Sequence, residues 1–163
     1  NNALFLQTSN GHTRIDGEFE SIDGVSAGKT ATRIADSLSW QMGAFGGQTL
    51  LAYQTSKDEK TNIETKDTSI GGRISYAFSK NFKLLVDAAT TTRSGNGPDQ
   101  RLDKLTIAPT LSVGPDFYSR PELRFYVTMA SWNDAAATAN ASTFGAGGKT
   151  SRTVAGVQYE IWW

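Results

Sequence analysis

Gly156-Val157-Gln158-Tyr159-Glu160-Ile161-Trp162-Trp163 is an alternating stretch that ends on two tryptophans. Read at period two, Val157, Tyr159, Ile161 and Trp163 face one way, and Gly156, Gln158, Glu160 and Trp162 face the other. A chain end in water is ordinarily mobile and wet, a poor place for two large indoles. A strand of an outer-membrane barrel has a use for them, because aromatic rings favour the membrane–water interface. The segment therefore points to a membrane pore.

The rest of the composition agrees. The 163 residues carry 16 basic and 16 acidic side chains, a balance that argues against a polyanionic partner such as nucleic acid. Cysteine is absent, which removes disulfide staples and thiolate metal sites. No run approaches the roughly 20 apolar residues of a membrane helix, so a membrane would be crossed by strands. A hydrophobic content of 38% suits a wall in which every second residue faces water. A start at Asn1-Asn2, without initiator Met or leader, reads as a processed or excised piece.

Strand signals separated by turn residues predict about eight strands, near 3–8, 31–42, 47–57, 67–78, 82–93, 101–113, 122–132 and 151–163, and no amphipathic helix. Most exceed the usual five or six residues and suit a tilted crossing of about 10 residues. The connections alternate between long polar stretches (9–30, 58–66, 94–100, 133–150) and shorter ones (43–46, 79–81, 114–121), the rim asymmetry of an outer-membrane barrel. Along each strand one face is apolar. Leu105, Ile107, Leu111 and Val113 oppose Lys104, Thr106, Thr110 and Ser112, and Leu123, Phe125, Val127 and Met129 oppose Glu122, Arg124, Tyr126 and Thr128. On that alternation Leu111→Arg, placed at mid-membrane depth, is expected to cost about 2–4 kcal/mol and Thr110→Arg little. A β-sandwich would alternate in the same way. Aromatics favour the barrel: Trp40, Phe45, Tyr76, Phe78, Phe82, Phe117, Tyr118, Phe125, Tyr126, Tyr159, Trp162 and Trp163 gather at the short-turn ends as an interfacial girdle.

Two stretches carry a more particular likeness. Phe117-Tyr118-Ser119-Arg120-Pro121-Glu122-Leu123-Arg124-Phe125, followed by Ser131-Trp132-Asn133, resembles the turn and strand of maltoporin-like sugar porins, and Thr153 to Trp163 resembles the closing strand of the same family. The wording of 122–133 leans toward the sucrose-porin branch. The resemblance implies an all-β fold: a transmembrane antiparallel β-barrel in which these strands are the carboxy-terminal part of an 18-stranded trimeric porin. It also implies a location in the bacterial outer membrane, with lipid and lipopolysaccharide outside, and passive passage of sucrose, maltose or related oligosaccharides past an aromatic slide in which Trp162 takes part. The pleat independently places Trp162 on the polar face. At the position where maltoporins carry an aromatic pair, Asp67 and Thr68 stand here, so one slide position is missing and a disaccharide suits the channel better than a long chain.

Pore-lining candidates from the face assignment are Trp162, Tyr126, Glu160, Gln158, Arg124, Glu122, Arg73, Asp87 and Lys104, mixed-sign groups able to hydrogen-bond hydroxyls. Arg120 and Arg124 flank a turn that they could tie down. His12 is the single histidine, so a histidine triad or multi-histidine metal site cannot be built. Asp58, Glu59 and Asp67 form a polar loop cluster, a weak candidate for calcium. Asp16, Glu18 and Glu20 alternate with Ile15, Gly17 and Phe19 as one further short strand. No acid–base pair suggests an enzyme, and no cofactor is implied. Two other readings stay open: a self-closed eight-stranded barrel with a structural or adhesive role, and a soluble carbohydrate-binding sandwich using Trp132 or Trp162.

Overall fold

Eight strands follow one another in chain order, each antiparallel to the next, in a computed structural model that describes residues 1–11, 28–145 and 148–162. They are β1 (Asn2–Asn10), β2 (Lys29–Met42), β3 (Phe45–Asp58), β4 (Ile63–Ala77), β5 (Phe82–Gly95), β6 (Gly97–Ser112), β7 (Glu122–Trp132) and β8 (Ser151–Glu160). Pairing runs β1 to β8 without a closing β8–β1 ladder among the described residues, so the sheet does not close on itself. That removes the support for a self-closed eight-stranded barrel. His12, the alternation at 15–20 and Trp163 lie outside the described residues.

Six of the eight strands, β1 to β6, are longer than their apolar alternation alone suggested. The stretches 58–66 and 94–100, read as loops, are mostly ladder: β3 and β4 are joined by 59–62 and β5 and β6 by Asn96. Polar residues pair there because both faces of these strand ends can meet water. Thr65 lies opposite Ser56, and Asp67 opposite Gln54 and Arg93. The 59–62 turn is closed by Asp58, whose Oδ1 accepts the Lys60 and Thr61 N–H at 2.9 and 3.2 Å.

One face of this single layer is apolar and open. Leu4, Leu38, Leu51, Ile70, Ile74, Leu105, Ile107, Val127 and Val157 project from it exposed. At its short-turn edge Phe45, Tyr76, Phe78 and Phe82 touch in series, with ring centroids 4.7, 4.9 and 5.8 Å apart. Four of the aromatics expected in a girdle thus line one edge, whereas Phe117, Tyr126 and Trp162 lie on the other side of the sheet. Asp36 breaks the apolar pattern between Ile34 and Leu38.

The opposite, inner face holds the small core of Leu85, Ala108 and Phe117, with Tyr126 packed on it. Phe117 comes from the 113–121 connection, which folds inward and reaches β2: its N–H donates to Gln41 Oε1 at 2.8 Å. Gly46 on β3 makes room, since a Cβ there would lie 2.6 Å from Phe117 Cβ. At the other rim two short helices, α1 (Asp134–Ala139) and α2 (Ala141–Phe144), lie in the β7–β8 connection, where no helix was expected. Asn133 caps α1 by accepting the Ala136 N–H at 3.0 Å. No described helix is long and apolar enough to cross a membrane.

Candidate functional site

Cross-strand register assembles the inner-face site. Arg73 on β4 faces Asp87 on β5, and its Nε and Nη2 donate to Asp87 Oδ2 at 2.9 and 2.7 Å. Lys104 on β6, Arg124 and Tyr126 on β7 and Gln158 on β8 turn toward the same hollow, which encloses about 200 Å³. The Tyr126 ring lies across Gly156 on β8; a Cβ there would sit 2.6 Å from its hydroxyl oxygen, so glycine lets the phenol lie flat against the wall. Six of the nine candidates thus share one polar cavity, with Thr106 and Thr128 bridged by their hydroxyls at 2.8 Å beside them.

Toward the short-turn rim the charges are packed away from water. Glu122 is 1% exposed. Its carboxylate pairs with Lys83, with Arg120 Nη1 at 3.0 Å, and with Arg124, whose Nε and Nη2 donate at 2.9 and 2.6 Å. Glu160 meets Arg124 Nη1 at 2.5 Å. Three cations therefore share two carboxylates, and the remaining positive charge is met by carbonyl oxygens. Lys83 Nζ donates to Asp116 O at 2.7 Å, and Arg120 Nη1 to Phe117 O and Ser119 O at 3.0 Å each. Burying ions is costly unless partners are supplied. The 113–121 connection supplies carbonyls to Lys83 and Arg120, while Glu122 Oε1 and Arg120 Nε are held by ion pairing without a hydrogen bond. Glu122 accordingly sits on the inner face, as expected, but in a covered ion network rather than in the open lumen. Arg120 ties down the turn through Phe117 O and Ser119 O, whereas Arg124 pairs with Glu122 and Glu160 on the strands.

Beyond Glu160 the strand ladder stops, short of the expected 163. Trp162 nevertheless stays on the inner side: the Arg120 guanidinium carbon lies 4.2 Å from its ring centroid. The indole is 51% exposed, so one ring face is covered and much of the rest is open.

The acidic cluster does not assemble. Asp58 closes its turn, whereas Asp67 is four residues into β4 and accepts from Arg93 Nε and Nη2 at 2.6 and 2.8 Å. Among the described residues no three His, Asp or Glu side chains are placed to hold a metal ion.

A second hollow, of about 380 Å³, opens under α1 and α2 between Arg33, the Asp67–Arg93 pair, Asn140 and Phe144. Its lid is pinned by Trp132, which stacks on Phe144 at 4.3 Å and donates its indole N–H to Lys149 O at 2.8 Å. Sequence reading missed it; Asn133-Asp134 before an alanine run was the available helix signal.

A single antiparallel layer with one apolar, open face and one charged face has the two-sided patterning of a membrane β-barrel wall. The chain belongs to the LamB porin family, whose family model matches residues 1–163. It is 32% identical over 111 residues to a maltoporin of Hahella chejuensis, covering 68% of this chain and 26% of that protein. A maltoporin 2 of Yersinia pestis is 33% identical over 114 residues, 67% of this chain and 25% of the relative. A maltoporin of Photobacterium profundum is 27% identical over 130 residues, 80% and 28%. The chain thus spans about a quarter of the length of the curated relatives it matches. It takes its place among outer-membrane porins, a channel family rather than an enzyme family.

Proposed function

We propose that these eight strands are the carboxy-terminal section of an 18-stranded trimeric porin that gives passive, sugar-selective diffusion across the outer membrane. The open β1 and β8 edges support a larger wall, because unpaired strand edges are untenable in lipid. The observation that carries the sugar reading is the inner-face hollow. The Arg73–Asp87 fork, Lys104, Tyr126 and Gln158 offer donors and acceptors at fixed positions around it. Trp162 adds a flat apolar surface for the less polar face of a pyranose ring. Many weak, preformed contacts of this kind let a neutral polyol enter and leave, which conduction requires. With Asp67 and Thr68 at the missing slide position, sucrose or another disaccharide fits better than a long maltodextrin. The apolar band and its aromatic edge would face acyl chains and lipopolysaccharide.

The test is ion current through the complete porin in planar bilayers, titrated with sucrose and with maltose. Saturable block by either sugar is expected. Current that stays constant up to high sugar concentration would refute a sugar-selective channel.

A further inference from the structure

We infer that Arg120 is a positioning residue for Trp162, fixing which face of the indole is offered to the lumen. This deepens the sugar-channel reading above and rests on it. Trp162 lies past the last rung of β8, so no cross-strand neighbour sets its ring. The Arg120 guanidinium covers one face at 4.2 Å. That cation is itself held from several sides. Its Nη1 is held by two carbonyl oxygens and by Glu122, and its Nε lies 3.2 Å from Glu160 Oε1, at ion-pair distance without hydrogen-bond alignment. The side chain is 5% exposed, which leaves the opposite indole face as the accessible one. A planar guanidinium stacks on an aromatic face as an ammonium cannot, so the arrangement calls for arginine and not for positive charge alone. The 113–121 connection, folded inward from a different hairpin, thereby sets the sugar platform at the end of β8.

A double-mutant cycle in the complete porin tests this, with the half-blocking sucrose concentration as readout and the sugar-free conductance as fold control. Arg120→Lys keeps the charge that Glu122 and Glu160 require, and Arg120→Gln removes it. Each is expected to raise the half-blocking concentration about three- to tenfold in the native background and to add nothing in a Trp162→Ala background. Unchanged block in the Arg120 variants, with Trp162→Ala still weakening it, would overturn the positioning role while leaving the platform standing. Equal weakening by Arg120→Lys with and without Trp162 would also overturn it, by assigning Arg120 to the wall. If Trp162→Ala itself leaves block unchanged, the platform reading fails and the inference falls with it.

Discussion

Glu122 and Trp162 lie on one face of adjacent strand ends, yet they do opposite work. Glu122 sits among Lys83, Arg120 and Arg124 with almost no access to water. Glu122→Ala would leave three cations with one carboxylate, and is expected to cost about 3–5 kcal/mol of unfolding free energy in lipid vesicles. A cost below about 1 kcal/mol would mean that the network contributes little. Trp162 is half open and bonded to nothing in the ladder, so Trp162→Ala should leave that free energy nearly unchanged while weakening sugar block of the current. Unaltered sugar affinity would remove it from the slide. The inward orientation of Trp162 was legible from the pleat alone, because period two needs no knowledge of neighbours. The burial of Glu122 was not. It depends on a connection that reaches Gln41 from Phe117, a contact 76 residues apart, and alternation carries no information about such a contact.

The elements show the same division. Number, order and direction of the strands follow from alternation and turn residues, and all eight were readable. Their ends were not, since polar strand extensions such as 63–66 look like loop when their paired neighbour is unknown. Depth also had to come from the structure. Leu111 pairs opposite Phe82, at the aromatic edge, whereas Ile107 lies four residues, about 14 Å, farther along β6. Ile107→Arg is therefore expected to cost about 2–4 kcal/mol and Leu111→Arg about 1 kcal/mol or less. Thr110→Arg, mild on alternation alone, becomes costly: Thr110 is 0% exposed and lies opposite both Lys83 and Arg124, so it would add a cation to an already positive cluster. Thr128→Arg, toward the open hollow, should be tolerated. Unfolding free energies in lipid that rank Leu111→Arg above Ile107→Arg would contradict this placement of the membrane. The inward connection makes its own prediction. Phe117→Ala removes the ring that packs with Leu85 and Ala108, and should loosen 113–121 and raise single-channel conductance of the complete porin; an unchanged conductance would show that the connection does not narrow the pore.

At the scale of the molecule, the eight strands form a wall with one apolar face, one polar face and, among the described residues, two unpaired edges. Family membership supplies the porin class, and the proposed sugar path rests on the inner-face hollow. The sequence indicated the wall because barrel strands are patterned one by one. It could not indicate how the wall closes, because the pattern within a strand says nothing of what its edge meets. The most direct test is the mass of the native, unheated protein in detergent beside that of the denatured chain. A complex far heavier than a few copies of this chain, containing additional polypeptide, is expected of a section of a larger sugar porin. A folded, detergent-resistant species made of this chain alone would contradict it, and the sugar channel with it.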